Sequence, residues 1–198
     1  MLCCNKNKFI FIKTEKTAGT STQSIFSEFM RNDDHDRIVK IGHEEHQFAA
    51  QIIHMVGDQR FQSYLKFANV RNPFDMLASH YFYGLMLQQP YKNFDFYIHE
   101  SGSPENLCQR TYDYLHADGI FVLDDFVKFE KIQDDIQRIC FNLGLKFERS
   151  VPHINPSHNR KSSNVLQMYN TSSVIKVRQV FGWYFDKFRY SIRPCNTI

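Results

Sequence analysis

Apolar and polar residues alternate along the chain in blocks whose spacing predicts short buried strands separated by helices. Residues 8–13 form an apolar run rich in Phe and Ile, which is typical of a buried strand. A small polar segment follows, and residues 22–30 then carry apolar side chains at helical spacing. The first predicted unit is therefore a strand, a tight loop and a helix.

The same alternation continues to the end of the chain. Further strands are predicted at residues 38–41, 64–70 and 119–129. Further helices are predicted at residues 44–56, 73–87, 104–116, 131–143 and 169–185. Residues 90–99 and 150–164 show no period and are interpreted as irregular. Alternating strands and helices favour an α/β fold with a central parallel sheet and helices on both faces.

Length and composition fit one globular domain spanning residues 1–198. Apolar residues make up 42% of the chain and charged residues 23%, which excludes a disordered chain. The net charge of +3 is too small to indicate a nucleic-acid partner. The apolar run at residues 9–12 is too short for a signal peptide or a membrane span, so we expect a cytoplasmic protein. A domain cut from a longer membrane-anchored protein would give the same pattern.

The cysteines are five in number and widely spaced: Cys3, Cys4, Cys108, Cys140 and Cys195. An odd count without a CxxC pair predicts neither a disulfide framework nor a zinc site. We expect reduced thiols, most of them buried.

The segment after the first strand has the composition of an anion-binding loop. It contains Lys16, Thr17, Ala18, Gly19, Thr20 and Ser21. Ligands bind at the carboxyl ends of parallel strands, and backbone N–H groups at a helix start favour phosphate or sulfate. Gly19 would let the backbone approach a ligand closely. Alternatively, Thr20 or Ser21 only caps the helix and Lys16 is a solvated charge. The pattern GxxxxGK[ST] is absent, which counts against an ordinary ATPase or kinase.

A second candidate anion site follows the predicted strand at residues 64–70. Arg71 stands directly after this strand, and Ser79 lies about two turns into the next helix. Arginine can bind phosphate through two parallel hydrogen bonds. Alternatively, Arg71 forms a structural ion pair and Ser79 is a small packing residue.

Taken together, these two segments resemble the sulfotransferases that use 3′-phosphoadenosine 5′-phosphosulfate (PAPS). The matching features are Lys-Thr-Ala-Gly-Thr-Ser at residues 16–21 and Arg-Asn-Pro at 71–73 with Ser79. Residues 125–132 and 184–190 resemble later motifs of the family. The resemblance implies a P-loop-like domain in which residues 16–21 bind the 5′-phosphosulfate, while Arg71 and Ser79 bind the 3′-phosphate. A catalytically inactive protein that binds PAPS or its product PAP is the alternative.

Within that family the chain looks most like the carbohydrate sulfotransferases, particularly the 2-O-sulfotransferases of glycosaminoglycans. Residues 157–162 are similar to a basic segment that closes over the nucleotide in that branch. The resemblance implies that Arg160, Lys161 and Ser162 lie on the 3′-phosphate and adenine side; alternatively, they form a solvated basic turn. The acceptor is expected to be a glycan or a small molecule, and the sequence leaves a glycan, tyrosine, lipid or phenol open.

Sulfuryl transfer needs a base for the acceptor hydroxyl and a cation near the bridging oxygen. The resemblance implies that Lys16 supplies the cation and His43 the base, since imidazole titrates near neutral pH. His46, Glu44 and Glu45 are further candidates for the base. The two histidines are three residues apart and do not form HExxH, so no metal site is expected.

Aromatic residues are abundant, with 19 Phe and 10 Tyr, and several follow the Arg71 segment. Aromatic rings can stack on sugars or phenols. We therefore predict an acceptor site formed by His46, Tyr83, Tyr91, Phe94 and Tyr97; alternatively, the rings only fill the core.

Overall fold

The computed structural model of the chain describes residues 1–30, 37–38, 46–152, 154 and 165–194, with backbone alone at 37–38 and 166. The chain packs as two compact units. The first comprises Met1–Val70 with Arg110–Ile154, and the second comprises Arg71–Gln109 with Asn155–Ile198. Organisation as one domain, expected from the length, stays a prediction.

A five-stranded sheet organises the first unit, in the order β3-β1-β2-β4-β7. Its strands are β1 (Leu2–Cys4), β2 (Phe9–Ile12), β3 (Arg37–Ile38), β4 (Leu65–Val70) and β7 (Asp125–Lys128). β2 pairs with β4 and β4 with β7 in parallel, whereas β1 is antiparallel to both of its neighbours. The predicted central parallel sheet is therefore present in a mostly parallel form, with β1 as the antiparallel strand.

The helices of the first unit pack beside this sheet. They are α1 (Gly19–Glu28), α2 (Ala49–Val56), α3 (Asp58–Ser63) and α7 (Ile132–Asn142), the last preceded by a 3₁₀ turn at Phe129–Lys131. The predicted helix at residues 44–56 begins at Ala49, with residues 46–48 non-helical. The predicted strand at 119–129 is instead β6 (Ile120–Phe121) and β7, and β6 forms a small hairpin with β5 (His116–Ala117).

Phenylalanine rings fill the centre of the first unit. Phe26 of α1 lies 4.8 Å from Phe67 and 5.3 Å from Phe9, measured between ring centroids. Phe11 is fully buried beside them. Burial of these rings places α1 against β2 and β4, and so fixes the loop between β2 and α1.

Helices make up the regular structure described for the second unit. They are α4 (Pro73–Met86), α5 (Phe94–His99), the first residues of α6 (Ser103–Leu115), α8 (Val165–Met168), α9 (Thr171–Val180) and α10 (Gly182–Phe188). The prediction that residues 90–99 are irregular was wrong for α5. The Asn93 side chain caps the start of this helix by accepting a hydrogen bond from the Phe96 backbone N–H. The single helix predicted at residues 169–185 is divided at Phe181 into α9 and α10.

Four of the cysteines are buried, as expected: Cys3, Cys4, Cys108 and Cys140. Cys195 lies outside the described residues. Among the described residues, no helix has the length and apolar character needed to span a membrane.

Candidate functional site

The first loop, residues 13–18, joins β2 to α1 at the carboxyl edge of the parallel strands. Ala18 occupies the position before the helix, has φ 63° and offers no side-chain cap. The first turn of α1 carries no acidic residue. The amide end of the helix dipole is therefore suited to an anion. Thr20 and Ser21 lie inside α1, so neither caps the helix.

Two residues of the first loop have left-handed backbone conformations. Lys16 has φ 58° and Ala18 has φ 63°. Each conformation costs about 1–2 kcal/mol for a residue with a Cβ atom. Such a loop persists only when its surroundings hold it.

One set of contacts that holds the loop is a buried polar layer formed by Thr14, Thr17, Thr22 and Asn69. Thr14 Oγ1 donates to the Asn69 carbonyl oxygen at 2.6 Å. Asn69 Nδ2 donates to the Thr17 carbonyl oxygen at 2.9 Å and to Thr22 Oγ1 at 2.8 Å. Asn69 Oδ1 has no hydrogen-bond partner among the described residues. The hydroxyl of Thr17 donates to the Thr14 carbonyl oxygen, so it contributes to the conformation of the loop. Contact between Thr17 and the 5′-phosphosulfate of PAPS stays a prediction.

A second set of contacts holds the loop through Glu15. Arg110 donates from Nε to Glu15 Oε1 at 2.8 Å and from Nη2 to Oε2 at 3.0 Å. The Tyr114 hydroxyl donates to Glu15 Oε1 at 2.7 Å. Burial alone would raise the pKa of Glu15, but the hydrogen bonds from Arg110 and Tyr114 outweigh it and the pKa is lowered. We call Glu15, Arg110 and Tyr114 the Glu15 clamp.

His46 contacts both the first loop and Tyr114 of the Glu15 clamp. Its Nδ1 is 2.9 Å from the Lys13 carbonyl oxygen, and its ring centroid is 5.9 Å from that of Tyr114. Nδ1 must carry the proton of the neutral ring to donate to a carbonyl, so the lone pair is on Nε2. Burial is the main cause that lowers the pKa of His46, partly opposed by the Lys13 carbonyl and Glu15. His43, Glu44 and Glu45 lie outside the described residues.

Arg71 follows β4 directly and forms a buried ion pair in the second unit. Its Nε is 2.6 Å and its Nη2 2.5 Å from Asp75 Oδ2. The Arg71 backbone N–H donates to the Tyr184 hydroxyl at 3.1 Å, which joins two of the motifs found in the sequence. Ser79 is buried on α4. The structural ion pair considered for Arg71 is present, and a role for Arg71 and Ser79 in binding phosphate stays a prediction.

Three of the aromatic residues predicted to contact an acceptor, Tyr91, Phe94 and Tyr97, form a packed cluster in the second unit. Tyr97 is fully buried, and its hydroxyl is 3.1 Å from His80 Nδ1. Tyr91 is half-buried against Gly84, and Phe94 is half-buried. Tyr83 is 44% exposed. Tyr97 is not accessible to an acceptor in this conformation, whereas Tyr83 is; the acceptor site stays a prediction. Arg160, Lys161 and Ser162 lie outside the described residues.

A model of the family described as "Sulfotransferase family" matches residues 1–191. The chain belongs to the sulfotransferase family. No curated protein and no solved structure matches it. Family membership indicates a transferase of sulfuryl groups.

Lys16, Gly19 and Arg71 of this sulfotransferase were predicted from the sequence. The residues that support them in the structure were not predicted. Asn69 had a recognisable signal, since it is a polar residue near the end of an otherwise apolar strand. Asp75 had another, since it stands four residues after Arg71 on a predicted helix. No sequence pattern pointed to Arg110, which is 95 positions away from Glu15.

Glycine is required at position 19 because the Lys13 side chain lies directly beside it. A Cβ atom at this position would lie 2.8 Å from Cγ of Lys13, and Lys13 is buried. Close approach of a ligand was the reason expected for this glycine. The structure shows a further reason, because the stem of Lys13 occupies the space beside it; close approach of a ligand stays a prediction.

Gly19→Ala is therefore expected to destabilise the protein. Forcing a methyl group against the buried Lys13 stem should lower the free energy of unfolding by about 1–3 kcal/mol. Denaturant unfolding measures it. Gly182→Ala is the matched control, because Gly182 also begins a helix but faces open space. Equal stability of the two variants would contradict the prediction.

Proposed function

We propose that this sulfotransferase moves a sulfuryl group from PAPS to a hydroxyl group of a carbohydrate acceptor. The match to the family model over residues 1–191 supports this most strongly, since members of the family generally use PAPS. The carbohydrate acceptor rests on the sequence resemblance to the glycosaminoglycan 2-O-sulfotransferases.

The donor is assigned to two groups of residues. The first loop and the start of α1, from Lys16 to Ser21, bind the 5′-phosphosulfate. An uncapped helix start without acidic residues supports this assignment, because it favours an anion. By the resemblance to the family, Arg71 and Ser79 bind the 3′-phosphate, and residues 160–162 bind near it and the adenine.

In the proposed reaction the acceptor oxygen attacks the sulfur of PAPS. The bond between sulfur and the bridging oxygen breaks, PAP leaves with the electron pair, and the hydroxyl proton passes to a base. Lys16 stabilises the negative charge that develops on the bridging oxygen. No metal ion has a role in this scheme.

His43 is the base predicted from the sequence, and His46 is the alternative. His43→Ala is expected to reduce transfer by about 10²–10⁴-fold, the usual contribution of a general base, and to leave PAP binding largely intact. His46→Ala, measured in the same assay, tests the alternative. If His46→Ala loses transfer and His43→Ala does not, the base is His46.

Three measurements on the full chain test the proposed function: calorimetric titration with PAP, transfer of labelled sulfate from PAPS to a panel of acceptors, and a comparison of thermal shifts with ATP and PAP. The panel contains a glycosaminoglycan, a tyrosine peptide, a hydroxylated lipid and a small phenol. PAP binding with transfer to the glycan supports the proposal. Binding without transfer to any acceptor favours an inactive PAP-binding protein. A thermal shift with ATP but not with PAP would overturn both in favour of a kinase-like protein.

A further inference from the structure

The Glu15 clamp lies directly beside the residue assigned to charge stabilisation. Glu15 immediately precedes Lys16 in the first loop. Its carboxylate is 18% exposed and accepts three hydrogen bonds, two from Arg110 and one from the Tyr114 hydroxyl. Bidentate pairing with arginine fixes the orientation of a carboxylate as well as its position. The backbone at Glu15 is therefore anchored where the left-handed conformation of Lys16 begins.

The loop has a second anchor on the other side of Lys16. The buried polar layer holds Thr17 through Asn69 Nδ2 and through the Thr17 hydroxyl itself. Lys16 thus lies between two anchored residues and has φ 58°. An unfavourable backbone conformation of this kind is maintained by the contacts around it, and such conformations cluster at functional sites.

Charge also favours a role for Arg110 at this position. An unpaired carboxylate next to Lys16 would attract its ammonium group and repel an anionic donor. Arg110 pairs with both oxygens of Glu15. Among the residues that the structure describes, the other charged or titratable groups that act on this carboxylate or on the His46 ring are His46 itself, Lys13 and the N-terminal ammonium group.

We propose that Arg110 and Tyr114 are positioning residues for sulfuryl transfer, which act through Glu15 to hold Lys16 in its left-handed conformation. This inference rests on the proposed function. It assigns a role in the reaction to two residues of α6 that are 94 and more positions away from Lys16 in the sequence, and that need not touch the donor.

Four variants of the full chain test the proposal: Glu15→Gln, Arg110→Gln, Arg110→Lys and the double variant Glu15→Gln/Arg110→Gln. Each single glutamine variant is expected to lower kcat by up to about 10²-fold with little change in the acceptor KM, as for a displaced catalytic group. The double variant should lose no more than either single one, because the pair acts as a unit. Arg110→Lys keeps the charge without the bidentate geometry, and should restore part of kcat.

Arg138→Gln is the matched control for stability. Arg138 also pairs with carboxylates in the first unit, Asp125 and Asp135, and is 43% exposed against 38% for Arg110. The Arg138→Gln variant should lose about as much thermal stability as Arg110→Gln does, while keeping the wild-type kcat. If the glutamine variants fail to fold, Tyr114→Phe removes one hydroxyl only, and should lower kcat in the same direction by a smaller factor.

Two results would overturn the proposal while leaving the proposed function intact. One is that the Glu15→Gln, Arg110→Gln and Tyr114→Phe variants fold and transfer sulfate at the wild-type rate, as Arg138→Gln is expected to do. The other is a crystal structure of Glu15→Gln in which Lys16 keeps its positive φ. By contrast, a wild-type protein that binds no PAP and transfers no sulfate contradicts the proposed function itself.

Discussion

Lys16→Ala is expected to remove nearly all sulfuryl transfer and to leave the fold intact. Lys16 is half-buried in the first loop and follows the anchored Glu15. Removing a cation placed where charge develops costs about 10²–10³ in kcat, as for the loss of one oxyanion-stabilising donor. Alanine should tolerate the positive φ no worse than lysine does, since both carry a Cβ atom. Transfer of labelled sulfate at saturating PAPS measures the effect.

Lys8→Ala is a close control for this experiment. Lys8 also has a positive φ, 51°, but it is exposed in the turn between β1 and β2. The Lys8→Ala variant should transfer sulfate at the wild-type rate. A Lys16→Ala variant with wild-type kcat, or a Lys8→Ala variant that loses as much activity, would contradict the assignment of Lys16.

Arg71→Ala is expected to have two separate effects, one on donor binding and one on folding. If Arg71 binds the 3′-phosphate, PAP affinity should fall by the roughly 2–5 kcal/mol typical of losing one side of a buried charge pair. Asp75 is 1% exposed and would lose this charged partner, which costs about 3–5 kcal/mol of stability in comparable buried pairs. Calorimetric titration with PAP measures the first effect, and denaturant unfolding measures the second.

The double variant Arg71→Ala/Asp75→Ala separates these effects. Removing the carboxylate as well takes away the buried charge that lost Arg71, so part of the lost stability should return. PAP affinity should stay low, because the guanidinium is still missing. Recovery of PAP affinity in the double variant would show that Arg71 acts only as a structural partner of Asp75.

The sequence was sufficient to predict the α/β class and the strands β2 and β4, because apolar runs flanked by polar loops depend only on local pattern. β1 was missed because Leu2–Cys4 is too short to show a period, and its pairing with β2 is a tertiary contact. α5 was missed because it has only six residues, too few to establish a helical period, although Phe94, Tyr97 and Ile98 stand at helical spacing. These failures come from short elements that packing stabilises more than local preference does.

For the candidate site, the sequence named the residues with the most recognisable chemistry, including Lys16 and Arg71. It could not supply their supports, because Glu15 meets Arg110 across 95 positions and Asn69 meets Thr17 across 52. Gly19 was selected for a plausible reason that proved incomplete, since the neighbouring Lys13 side chain is visible only in three dimensions. Local motifs therefore identify reacting groups better than the contacts that orient them.

The buried thiols make it possible to follow the opening of each unit by chemical labelling. Cys140 lies in the first unit, where burial raises its pKa to about 11, and Cys108 lies in the second, where burial also raises the pKa. Thiolates are the reactive species, so both should resist alkylation until their surroundings open. With Cys195 replaced by serine, the relative labelling rates of Cys108 and Cys140 would report whether one unit opens before the other or both open together.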